Sequence, residues 1–227
     1  MGVKPSYKSL APEVEAELKR FEREVDAVES GKIPPEDFQR FRLENGVYGI
    51  RGEPNLHMIR VKISYGNLNA DQLELMADIA EFFTPYKVGH VTTRQNFQFH
   101  FIKRRDVPII LRLLAEKGLT TREACGNTVR TVTACPYAGI SATEVFDVTP
   151  YADMIAKFFL RNPLCQSMPR KFKIAFEGCP EDHARVAIHD LGVVAKVKAI
   201  DGKLVRGFQI YVGGGLGATP RSAILIE

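Results

Sequence analysis

Between His90 and Phe101 the chain reads HVTTRQNFQFHF, a pattern that leaves little freedom in how it folds. Taken with period two, Phe97, Phe99 and Phe101 fall on one side, and His90, Thr92, Arg94, Asn96, Gln98 and His100 on the other. This alternation predicts a strand over residues 87–102 with its phenylalanine face in a core. The opposite face has hydroxyls, amides, imidazoles and a guanidinium but no carboxylate, a set rich in hydrogen-bond donors. It suits an anionic ligand lying on a sheet. In isolation, the simpler reading is a half-exposed antiparallel strand.

The flanking sequence extends the pattern. Val14, Leu18, Phe21, Val25 and Val28 recur at helical spacing, which predicts an amphipathic helix over residues 12–29. Residues 38–54 are turn-rich, basic and aromatic, and read as loop or short strand. LHMIRVKISY, Leu56 to Tyr65, is strand-like, with Ile59, Val61 and Ile63 on one side and Arg60 and Lys62 on the other. Asn69 and Gln72 resemble a capping box that opens a helix from Ala70 to Phe83. Asp106 caps a second helix that Gly118 ends. The order strand, helix, strand, helix predicts an α+β, ferredoxin-like half domain.

After Leu119, an alternating strand is expected over residues 127–134, then the CPYAG turn. Thr149 and Pro150 open another helix, RKFKIAF (Arg170 to Phe176) forms a strand, and Asp201-Gly202 joins two strands as a hairpin. A glycine run, Gly213-Gly214-Gly215, follows; its N–H groups suit a carboxylate or phosphate, and a tight turn accounts for it equally well.

The composition is that of a globular chain: 227 residues, 45% hydrophobic, 26% charged and net charge +4. That charge is too small to demand a nucleic-acid partner. No apolar run is long enough to span a bilayer and the N-terminus lacks a signal-peptide core, so a cytoplasmic location is expected. Cys125, Cys135, Cys165 and Cys179 show no CxxC pair or zinc-like spacing, so no metal site is expected and each reads as a free buried thiol. Four strand-borne cations remain: Arg60, Arg130, Lys171 and Lys173. Each has apolar neighbours, and a buried cation needs a partner. With Arg94 they suggest an anion pocket of flat guanidinium forks and mobile ammonium groups.

HMIRVKISYG, HVTTRQNFQFHFI, GNTVRTVTACPYAG, MPRKFKI and GFQIYVGGGLG follow one another in that order. Over residues 48–219 the chain thereby resembles the siroheme-dependent sulfite and nitrite reductases. The resemblance implies that Arg60, Arg130, Lys171 and Lys173 surround a sulfur or nitrogen oxyanion and deliver protons to it. It implies that Thr92, Arg94, Asn96 and Gln98 bind siroheme carboxylates. Relatives specific for nitrite tend to read RKWN where this chain reads RKFK, so Lys173 favours sulfite. Cys125 resembles a cysteine beside the haem that, in some relatives, is joined to a tyrosine, here Tyr48. An electron donor such as a ferredoxin is implied as a partner.

The family's 4Fe-4S cluster is held by two close cysteine pairs in the second half of its chain, and no such pairs occur here. The expectation is a reductase half, inactive alone, whose cluster comes from a missing half or a partner chain, or from a homodimer imitating that half. A truncated, inactive tetrapyrrole-binding protein is the alternative, and an RNA-binding ferredoxin-like module a remote one. The expected division is a helical extension over 1–45, a ferredoxin-like half domain over 46–118, and a siroheme and substrate-side α/β domain over 119–227.

Overall fold

The computed structural model describes residues 3–226. These residues divide into two compact units, one comprising residues 3–63 and 67–126, the other residues 64–66 and 127–226.

The first unit begins with α1 (Pro12–Glu29), which has proline at its start and glutamates in its first turn, both favourable at a helix N-terminus. Phe21, Val25 and Val28 are its buried face. A second helix follows, α2 (Pro35–Glu44), where the sequence pattern suggested loop or short strand. Ten residues are too few for a stable isolated helix. Tertiary packing holds it, with Phe38 and Phe41 meeting Phe21 at ring distances of 5.8 and 5.5 Å. The N-terminal helices therefore share one core with Val47, Ile59 and Ile79.

The rest of this unit is β1 (Val47–Ile50), β2 (Glu53–Val61), α3 (Ala70–Phe83), β3 (His90–Val91), β4 (Phe97–Lys103) and α4 (Val107–Glu116). The sheet order is β1-β2-β4-β3, with antiparallel pairing throughout. The Asn69–Gln72 capping box is present with both its hydrogen bonds, whereas the Asp106 side chain makes no cap bond.

The single strand expected over 87–102 is instead a hairpin. β3 and β4 pair His90 with Gln98 and Val91 with Phe97 across a turn. Gly89 permits this close return, since a Cβ there would lie 2.0 Å from the Phe97 ring. Phe99 is fully buried, but a bulge opposite residues 57–59 interrupts the alternation. Phe101 sits at φ 62° and Ile102 takes the inward position. An inserted residue shifts every later side chain to the other face.

Two buried polar groups carry energetic consequences. Lys62 Nζ donates to Glu123 Oε2 at 2.9 Å, with both side chains almost wholly buried. His57 is 3% exposed, and burial, followed by the Arg42 and Arg104 charges, holds its pKa down to about 4.

The second unit contains β5 (Thr133–Ala134), α5 (Thr149–Phe159), β6 (Ile174–Glu177), β7 (Leu191–Ile200), β8 (Lys203–Val212) and β9 (Ile224–Ile226). Its sheet order is β5-β6-β7-β8-β9, with β5, β6 and β7 parallel and the remaining pairs antiparallel. The expected strand over 127–134 is regular only at its end, with an isolated bridge from Val129 to Phe172 before it. Thr149 is the first helical residue of α5 rather than its cap: the N-cap is Val148, which has no side-chain cap bond, and Asp147 before it accepts from the Thr149 N–H at 2.9 Å. Asp201 and Gly202 have φ of 50° and 75°, as a two-residue hairpin turn requires. The core comprises Val129, Val132, Phe146, Ala152, Ile174 and Val193, with further apolar residues around them.

Removing one member of a buried ion pair strands the other charge, so Glu123→Gln should cost about 3–5 kcal/mol in denaturant unfolding. His57 is neutral when folded, and the unfolded chain binds its proton more readily. Stability should therefore be intact above pH 6.5 and fall by roughly 3 kcal/mol as pH drops to about 4. Unfolding midpoints of the wild type and His57→Leu across that window check this, because the variant should lack that component.

Candidate functional site

In the first unit, Arg60 on β2 lies directly opposite Gln98 on β4. With the Gln98 amide oxygen facing the guanidinium, it accepts from Nη2 at 2.6 Å and Nε at 2.8 Å. Arg60 Nη1 also donates to the Ala124 carbonyl at 3.3 Å, and the guanidinium lies 5.2 Å from the centroid of the Tyr48 ring. These contacts fix the plane of a half-buried fork. His100 is held towards its neutral form, first by burial and then by the His90 and Arg60 charges.

The four donors expected on one strand face have different tasks. Thr92 Oγ1 accepts from the backbone N–H groups of Arg94 and Asn96, at 3.3 and 3.2 Å. Asn96 is buried and its Oδ1 accepts from the Ile63 N–H. Thr92 and Asn96 thus secure the β3–β4 turn, Gln98 orients Arg60, and Arg94 is carried within the turn. Period-two reading missed this because residues 92–96 are not extended.

In the second unit, Arg130 N donates to the Phe172 carbonyl and Phe172 N to the Thr128 carbonyl, at 2.8 and 3.0 Å. This parallel register sets Val129 against Phe172, and both pack into the apolar core. Side chains alternate along extended backbone, so Arg130 lies beside Lys173 on the other face, which Lys171 shares. Arg130 is buried, Lys173 half-buried and Lys171 exposed. The Lys173 backbone N–H is tied to Asp190 Oδ2 at 2.8 Å. By register, three cations thus share one face of this unit, a charge set that suits a small anion.

Gly213 N and Gly215 N donate to the Asp190 and Arg221 carbonyls. A Cβ on Gly214 would lie 2.4 Å from the Ala187 carbonyl oxygen, so this glycine answers a close backbone approach.

All four cysteines are buried and outside any disulfide. Cys135 and Cys179 nevertheless meet, Sγ to Sγ, at 3.8 Å, and His183 Nδ1 lies 3.6 Å from Cys135 Sγ. With Glu177 they are the one group of three or more ligand-type side chains gathered closely enough for a metal among the described residues. Burial and the Glu177 carboxylate push the Cys135 thiol up, towards its protonated form. Sequence spacing hid this group because Cys135 comes from one connection and Glu177, Cys179 and His183 from the end of β6 and the loop after it. The only local signal was Cys179 followed by His183 four residues later.

An antiparallel α+β unit joined to a mixed-sheet unit defines a two-unit α+β protein. Two family models match: the nitrite/sulfite reductase ferredoxin-like half domain over residues 48–117, and the nitrite and sulphite reductase 4Fe-4S domain over residues 125–226. The chain belongs to the nitrite/sulfite reductase family. It is 34% identical over 220 residues to an assimilatory ferredoxin-dependent nitrite reductase of Haloferax mediterranei, covering 90% of this chain and 37% of that one. A ferredoxin sulfite reductase of Mycobacterium tuberculosis is 33% identical over 171 residues, covering 75% of this chain and 30% of that one. The solved structure of the Mycobacterium tuberculosis NirA protein aligns with a TM-score of 0.75 at 27% identity, covering 96% of this chain and 43% of that one. The chain spans about a third of the length of these curated relatives.

A 4Fe-4S cluster is typically held by four cysteine thiolates. Cys125 belongs to the first unit and Cys165 packs into the second unit's apolar core. The one ligand-type group offers two thiols, an imidazole and a carboxylate. These residues do not fit a four-thiolate cluster.

Proposed function

We propose that this chain is the anion-binding portion of a siroheme-dependent reductase for sulfite, with nitrite as a second substrate. The register that sets Arg130 beside Lys173, with Lys171 on the same face, carries this reading. Siroheme is a polycarboxylated iron tetrapyrrole, and cations borne on sheet and turn suit its carboxylates. When bound, it supplies the iron that holds the oxyanion and passes electrons to it.

The chain's own contribution is electrostatic and protonic. Arg130 presents a permanently charged flat fork that neutralises the oxyanion. Lys173 Nζ is a point charge that donates a hydrogen bond, then a proton, to an oxygen departing as water, and Lys171 Nζ replenishes positive charge at the solvent edge. In the first unit, Arg60 is the proposed anion-binding group, its plane fixed by Gln98. Thr92, Arg94, Asn96 and Gln98 are the proposed carboxylate-binding segment, with Arg94 supplying the charge. Sulfite carries more negative charge than nitrite when fully ionised, so a second ammonium at Lys173 favours sulfite.

Ferredoxin, named in relatives from both classes, is the proposed electron donor, and cluster thiolates are proposed to come from sequence outside this chain. Co-production with a polypeptide carrying the cluster cysteines and a siroheme supply gives the test. Arg130→Ala should lower turnover on the order of 100-fold with thermal stability nearly unchanged. Lys173→Asn should move the ratio of kcat/KM values from sulfite towards nitrite. Parallel loss of folding and turnover in the first variant, with an unaltered ratio in the second, would contradict the assignment.

A further inference from the structure

The Cys135 group lies at the carboxyl ends of β5 and β6, and the proposed reaction does not use it. Cys135 follows β5 and Cys179 follows β6, adjacent parallel strands tied where Cys135 N donates to the Phe176 carbonyl at 2.9 Å. Both cysteines thus emerge at the carboxyl ends of neighbouring strands, a position where α/β sheets commonly build sites. The loop after β6 returns His183 to the same point. Glu177, at the end of β6, is 1% exposed, and its two oxygens accept the N–H groups of Cys179 and Ala184 at 2.8 and 2.7 Å. A carboxylate has about four acceptor positions, so capacity remains for an ion.

We propose that Cys135, Cys179, His183 and Glu177 form a mononuclear site for a tetrahedral divalent metal of the zinc type. Zinc–sulfur bonds of about 2.3 Å and zinc–nitrogen bonds of about 2.0 Å place tetrahedral ligands roughly 3.8 Å apart for two sulfurs and roughly 3.5 Å for sulfur and nitrogen. The observed separations are 3.8 Å between the sulfurs and 3.6 Å from Cys135 Sγ to His183 Nδ1. His183 Nδ1 to Glu177 Oε1 is longer, at 4.0 Å, and His183 lies on a partly exposed loop where a small rotation closes that gap. All four ligand atoms lie within 4.8 Å of one another. A thiol–thiol hydrogen bond would explain the sulfur pair alone, but not the imidazole and carboxylate turned to the same point.

The donor set also selects the ion. Thiolates and imidazole favour zinc-like metals over magnesium or calcium, which take oxygen ligands. Two thiols must lose their protons to bind, so uptake releases about two protons per ion. The two thiolates and the carboxylate leave a net charge of about −1 around a divalent ion, which the N–H groups of Cys179 and Ala184 stabilise through Glu177. The Tyr137 ring packs edge-on against His183 at 4.9 Å.

The chain, stripped with chelator and kept reduced, is titrated with cobalt(II) and then zinc(II). One equivalent of cobalt should give a thiolate charge-transfer band and the intense visible bands of four-coordinate cobalt, and zinc should displace it. His183→Ala, on the partly exposed loop, should retain the fold by circular dichroism and lose ~10–100-fold or more in affinity. Cys179→Ser should abolish the charge-transfer band's full intensity, while Cys165→Ser should leave binding unchanged. A pale six-coordinate spectrum, no stoichiometric uptake, or full affinity in folded His183→Ala would overturn the site. Iron–sulfide reconstitution that loads several irons per chain at Cys135 and Cys179 would overturn its mononuclear character. None of these readouts depends on siroheme or turnover.

Discussion

The parallel pairing of residues 127–135 with residues 172–176 is the interaction on which the second unit depends. Hydrogen bonds from Arg130 N to the Phe172 carbonyl and from Cys135 N to the Phe176 carbonyl fix its two ends. At one end the register sets Arg130 beside Lys173, and at the other it delivers Cys135 to Cys179. A slip of residues 127–135 by one position would turn Arg130 into the core and Val129 out of it, leaving Lys173 without its neighbour. Apolar burial of Val129, Ile174 and Phe176 therefore fixes the placement of the polar chemistry as well.

In the first unit, the fate of each cation depends on what lies opposite it. Arg60 and Lys62 are equivalent in an alternating strand pattern, yet Lys62 ends in a buried ion pair with Glu123 while Arg60 remains half-buried against Gln98, the Ala124 carbonyl and Tyr48. Glu123 reaches Lys62 from a segment 61 residues away, a partnership that local spacing does not encode. Burying an unpaired ammonium is too costly to persist, so the unit holds Lys62 with one carboxylate and leaves Arg60 its fork.

Features carried by local chemistry were legible in the sequence: the 12–29 helix, the Asn69–Gln72 capping box and the Asp201-Gly202 hairpin all form. Those set by tertiary contact were not. α2 exists because Phe38 and Phe41 reach Phe21, and the 90–101 stretch bends because the Thr92 hydroxyl and a Gly89–Phe97 contact favour a turn. The shared face of Lys171 and Lys173 follows from alternation, whereas Arg130 joins them, and the Cys135 group joins residues 44 apart, only through strand adjacency. Five ordered motifs made the family legible, since they record chemistry that periodicity alone does not.

On the proposed reading, the chain supplies the cationic anion-binding portion and the cluster thiolates come from elsewhere. Absorption spectra of the chain produced with a siroheme supply, alone and with a polypeptide carrying the cluster cysteines, test it most directly. The account predicts a siroheme spectrum in the mixture and little or none in the chain alone. Stoichiometric siroheme in the isolated chain, or no tetrapyrrole in either sample, would contradict it.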